Sequence, residues 1–114
     1  MATPKKIVAQ ALKRDTHCFH CGQTDDLQPH HRKGRGMGGS KVLDRVDNIM
    51  MICGLYNGAM ESDPKLASLA RAWGHKLAQW EDFDKAVFDG VEFRWYVLTA
   101  SGEKVDLEFL DEPY

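Results

Sequence analysis

The run Ile49-Met50-Met51-Ile52-Cys53 has no polar position to turn toward water. A stretch of that kind must be covered on both sides. With the turn pair Asp47-Asn48 before it and Gly54 after it, the run reads as a short buried strand. Residues 27–32 read as a second short strand, placed at an edge by Pro29, because proline cannot donate to a ladder. The two can pair antiparallel across a long loop of functional character. Helical character is expected from Asn57 onward, with Asn57 and Glu61 four apart and on one face.

The flanks fill in around that pair. Thr3-Pro4 reads as an N-cap followed by proline at the first helical position. Ile7, Val8, Ala11 and Leu12 then give an amphipathic helix over residues 4–14. Residues 64–80 give the clearest helical spacing, through Leu66, Leu69, Ala70, Trp73, Leu77 and Trp80, with Gly74 its weak position. The Trp stripe is expected in the core and His75 on the surface. Residues 91–99 and 104–109 read as a β-hairpin around Ser101-Gly102. The fold class expected is α+β, in a single domain over residues 1–114. Its core spans residues 15–63, and a helix-plus-hairpin extension spans 64–114.

Charge is uneven along the 114 residues. Residues 1–58 carry nine Lys/Arg and five Asp/Glu, and residues 59–114 carry six and twelve, behind a net charge of -2. The first half is suited to a polyanion and the second is not. No apolar run is long enough to span a bilayer and no secretory leader is recognisable, so the expected setting is cytoplasmic.

Chemistry-bearing residues concentrate between 29 and 62. His30 and His31 are adjacent on a strand, so they point to opposite faces and can do different jobs. The loop Lys33-Gly34-Arg35-Gly36-Met37-Gly38-Gly39-Ser40-Lys41 combines freed backbone amides with cations, which suits phosphate contact. Cys18-Phe19-His20-Cys21, with Cys53 as the third thiol, reads either as part of a zinc knuckle or as reduced, partly buried thiols.

The order strand, long loop, strand, helix, with His-His on the first strand and Asn57/Glu61 on the helix, resembles the HNH endonuclease family and its ββα-metal fold. His30-His31-Arg32, Arg35-Gly36-Met37-Gly38-Gly39-Ser40, Asn48, Cys53-Gly54 and Gly58 are similar to the HNH proteins carried by actinobacterial bacteriophages. The Trp73-Gly74 helix and the strand from Trp95 to Thr99 are similar too. The resemblance covers nearly the whole chain, but only residues 29–62 are specific.

The resemblance implies a metal-dependent endonuclease that nicks or cuts DNA with little sequence preference. His31 would be the general base, with Asn48 orienting it and fixing the loop. Asn57 stands at the motif's final His position. His30, Asn57 and Glu61 would hold a divalent ion, Mg²⁺ or Mn²⁺, because an amide oxygen suits hard ions. Arg32, Lys33, Arg35 and Lys41 would contact DNA. Cys18, Cys21 and Cys53 are the candidate structural zinc ligands, with Tyr56 where zinc-knuckle members carry a fourth Cys and expected to make apolar contacts. Phage packaging machinery, the terminase, is a partner by resemblance only, and the setting would then be host cytoplasm. The competing expectation is a decayed HNH fold that binds nucleic acid or protein without cleaving.

Overall fold

The computed structural model describes residues 3–34 and 41–110. It is an α+β domain built from two small antiparallel sheets and short helices. The first sheet pairs β1 (Leu27–His31) with β2 (Ile49–Cys53). The register sets His30 opposite Met50 and His31 opposite Ile49.

All five residues of β2 are buried, and the period of two explains why. Ile49 and Met51 pack with Ala11, Ile7 and Val8 of α1 (Lys5–Arg14). Met50 and Ile52 face the other way, into a core with Phe19, Tyr56, Met60, Ala70, Val87 and Leu98, which Cys53, where the strand ends, also joins. One strand thus closes two cores, which is what a run without polar positions requires. The Arg14–Asp15 pair ties α1 to this strand. Arg14 donates to the Val46 and Ile49 carbonyls at 2.7 and 2.5 Å, and the Asp15 carboxylate accepts from Met51 N at 3.1 Å. Pro4 itself occupies the N-cap position of α1 with no side-chain cap, where Thr3 was expected.

Helix α2 (Gly54–Ser62) starts three residues before the expected point, capped by the Cys53 sulfur. Asp63 then caps α3 (Pro64–Ala72), accepting from Lys65 N at 2.9 Å. The expected helix over 64–80 stops at Ala72. Gly74 adopts φ +75°, and a Cβ there would lie 2.1 Å from the Ala86 carbonyl oxygen. Glycine therefore ends the helix at a close backbone crossing. Two expectations fall with it: His75 is fully buried, and Trp80 is 88% exposed.

The expected hairpin is a three-stranded sheet, with β3 (Val87–Asp89) beside β4 (Arg94–Leu98) and β4 beside β5 (Lys104–Asp106). Residues 91–93 form the β3–β4 turn, and the chain after Asp106 turns into α4 (Leu107–Leu110). The sheet docks through Phe88 N to the Trp73 carbonyl and Gly90 N to the Phe19 carbonyl, both at 2.8 Å. No helix among the described residues is long and apolar enough to cross a membrane.

Candidate metal and histidine site

Two groups of chemistry-bearing side chains flank the β1–β2 pair. On the core side, His30 Nε2 lies 2.8 Å from the His75 carbonyl oxygen. A carbonyl only accepts, so Nε2 carries the proton and Nδ1 keeps its lone pair. Burial pushes His30 down to about 4, which leaves the ring neutral at neutral pH. The same holds for His75, also pushed to about 4 by burial. Its Nε2 donates to the Phe88 carbonyl at 2.8 Å, and its Nδ1 accepts from the Tyr56 hydroxyl at 2.7 Å. Tyr56 and His30 thus both bond to His75, one at its ring and the other at its backbone carbonyl.

On the other face, His31 Nε2 donates to Asp44 Oδ1 at 2.7 Å, with both side chains mostly covered. Among the described residues, no hydrogen bond is made at His31 Nδ1. Asn48, fully buried, braces this arrangement. Its Oδ1 accepts from Lys33 N at 2.8 Å, and its Nδ2 donates to the Lys33 and Leu43 carbonyls at 3.1 and 2.9 Å. One amide holds both described ends of the loop, and the second end delivers Asp44 to His31.

Asn57 Nδ2 donates to Gln28 Oε1 at 3.2 Å, leaving its own Oδ1 uncommitted by that bond. Gln28 and His30 are two apart on β1 and share a face. Glu61 pairs with Lys76 at 3.3 Å, and both charges act on His30, Lys76 lowering its proton affinity and Glu61 raising it. These residues gather around one end of the core face of β1.

Arg32 departs from its expected role. Its side chain is buried, and it donates to the Gly74, Asp47, Phe83 and Lys85 carbonyls. It joins the end of β1 to the segments after α3 and is not presented to a phosphate. Burial lowers its guanidinium to about 10. Lys33 and Arg45 instead lie over the Phe83 ring, at 4.7 and 4.3 Å from its centroid. The Arg45 side chain is 44% exposed while paired with Asp47. Arg35 and the Lys41 side chain lie outside the described residues.

The third group is the knuckle. The sulfurs of Cys18, Cys21 and Cys53 lie within 4.8 Å of one another. Three convergent thiols make metal binding feasible here. Backbone amides already donate to two of them, His20 N to Cys18 Sγ and Tyr56 N to Cys53 Sγ, each at 3.4 Å. Cys21 and Cys53 are in mutual contact. Burial pushes the Cys53 thiol up to about 11. Burial also acts to raise Cys21, but hydrogen bonds from the Gln23 backbone and the neighbouring thiols outweigh it and lower the value. Tyr56 does not fill the fourth thiol's place with apolar contact alone. Its ring stacks on His20 at 4.2 Å, and its hydroxyl is spent on His75.

A further cluster, His17, Asp89 and Glu92, has donor atoms within 4.8 Å of one another. Asp89 is buried and accepts from His17, Val91 N and Glu92 N, which accounts for it as the brace of the β3–β4 turn. Asp44, Arg45 and His75 were missed in the sequence. Only Asp44 gave a signal, as a carboxylate one position beyond an apolar anchor at the end of the loop. Comparison with protein-family models, curated proteins and solved structures finds no match.

Proposed function

We propose that the chain is a metal-dependent endonuclease of the HNH type, hydrolysing DNA phosphodiester bonds. The observation that carries this reading is the Asn48 clamp. It closes the loop between β1 and β2 and sets Asp44 on His31, leaving Nδ1 of His31 as the base. His31 takes the proton of the attacking water at Nδ1, while Asp44 holds the ring and stabilises the imidazolium that forms.

The donor set on the core face suits a hard divalent ion. His30 is neutral with a free Nδ1, Asn57 has an uncommitted amide oxygen, and Glu61 contributes a carboxylate at the rim. Mg²⁺ or Mn²⁺ fits two oxygen donors better than zinc does. When bound, such an ion supplies Lewis-acid stabilisation of charge on the phosphate. Lys33 and Arg45, both stacked over Phe83, take the phosphate-contact role in this reading in place of Arg32. At the three cysteines, the soft sulfur set favours zinc.

The second reading, a non-cleaving DNA- or protein-binding module, draws on the bond between Asn57 and Gln28 and the pairing of Glu61 with Lys76. The first holds the Asn57 amide in place through its nitrogen, and the second occupies a carboxylate oxygen that a metal would need. A supercoiled-plasmid assay with Mg²⁺ or Mn²⁺ separates the readings. The nuclease gives nicked circles that disappear with chelator and in His31→Ala. The binding module gives salt-dependent mobility shifts and intact plasmid.

A further inference from the structure

The knuckle departs from a closed four-thiol site in a way that defines what it can hold. Cys21 Sγ and Cys53 Sγ are 3.7 Å apart. Two thiolates on one tetrahedral zinc, each bonded at about 2.3 Å, lie about 3.8 Å apart, so the pair is already set for a shared ion. The amides of His20 and Tyr56 donate to Cys18 Sγ and Cys53 Sγ, bonds of the kind that support a metal-bound thiolate. Among the described residues, no further His, Cys, Asp or Glu joins the three within the same distance.

The residue at the helix position that would close the site is Tyr56, and its hydroxyl is turned to His75 Nδ1 at 2.7 Å. Cys21 and Cys53 line a mostly apolar cavity of about 340 Å³ together with Leu55, Ala59 and Leu66, and with His20, Gln23 and Tyr56; the His20 ring is stacked on Tyr56 and is not among the groups within reach of the three sulfurs. Cys21 is exposed, so the cluster has a path to solvent.

We propose that Cys18, Cys21 and Cys53 form an open three-thiolate centre for a thiophilic divalent ion, whose fourth position at this cavity takes an exchangeable, uncharged small donor. This rests on the metal reading of the cysteines and not on the nuclease reading. Charge selects the donor. Three thiolates and a divalent ion sum to one negative charge, which an uncharged ligand leaves unchanged. A fourth thiolate would double that charge against an apolar wall. The thiol protons pass to solvent as the ion binds.

Cobalt(II) titration of the reduced, chelator-treated full chain reads this directly. Wild type is expected to develop sulfur-to-cobalt charge-transfer absorption with tetrahedral d–d bands. Imidazole is expected to shift those bands. Cys21→Ser should weaken binding by more than about tenfold, and Tyr56→Cys, by filling the fourth position from within the chain, should abolish the imidazole response. Tyr56→Phe removes only the hydroxyl and should keep the response; its loss there would show that the hydroxyl controls the fourth position and overturn the proposal. Wild-type bands indifferent to imidazole would overturn the open position while leaving the metal site intact. No cobalt binding at micromolar ion would overturn both.

Discussion

His30 and His31 are neighbours in β1, yet one ring lies in the core against the His75 carbonyl and the other lies near the surface against Asp44. Both donate from Nε2, and among the described residues neither has a bond at Nδ1. The difference is the partner and its surroundings. A neutral carbonyl in the core fixes a ring that burial keeps uncharged, and a carboxylate beside the loop fixes the other. On the proposed nuclease reading the first would be the metal ligand and the second the base, and the alternation of a strand, which sends adjacent side chains to opposite faces, would divide the labour.

The sharpest way to break that comparison is His31→Ala. On the nuclease reading, plasmid nicking should fall by roughly 10²–10⁴-fold, about 3–5 kcal/mol in barrier, with little change in melting temperature. A comparable nicking rate in wild type and variant would remove His31 from the chemistry. His30 stands on the other side of the contrast and is expected to report through stability.

Acid tests that side. His30 and His75 both sit at about 4 in the folded chain, below the 6.5 of an unperturbed histidine. The unfolded chain therefore binds more protons than the folded one between these values. The stability tied to their neutral forms is complete above about pH 6.5 and is lost as pH falls toward about 4. Each site accounts for on the order of 3 kcal/mol. Urea denaturation of the chelator-treated protein at pH 7 and pH 4.5 measures it. An unchanged midpoint would mean that the two rings are not held neutral by burial.

Arg32 sharpens the comparison because it follows His31 in sequence but belongs with His30 in environment. Arg32→Met keeps much of the aliphatic volume and orphans the carbonyls of Gly74, Asp47, Phe83 and Lys85. A loss of about 2–4 kcal/mol in unfolding free energy is expected. A variant of wild-type stability with weakened DNA binding would instead return Arg32 to the phosphate-contact role.

How much of this was legible in the sequence follows from the range of each interaction. The apolar run of β2, its pairing with β1 and the period of α1 are local patterns, and their pairing and packing match the expectation. The end of α3 was not legible. Trp73, Leu77 and Trp80 continue the helical spacing past Gly74, and only the approach of the Ala86 carbonyl makes that glycine a terminus. Arg32 was legible as a charge but not as a buried one, because its carbonyl partners come from segments 15 to 53 residues away. His75 joined the core for the same reason, through Tyr56 and His30. The thiol cluster needed only two short motifs and was readable. The fate of Tyr56 was not, since nothing local says which way its hydroxyl turns.

Tyr56→Phe is the smallest change that separates the two faces. It removes one oxygen from the core and leaves His75 Nδ1 as an acceptor without its donor. A buried unsatisfied nitrogen costs about 1–2 kcal/mol, and the stacked contact with His20 is retained. Because His75 presents its carbonyl, not its ring, to His30, the bond at His30 Nε2 should survive. The His31–Asp44 pair, on the opposite face of β1, should not respond at all. Nitrogen-15 spectra of the five histidines test this. The expected pattern is a changed His75 signal with His31 unmoved; a change at His31 would mean that the two faces of β1 are coupled through the strand.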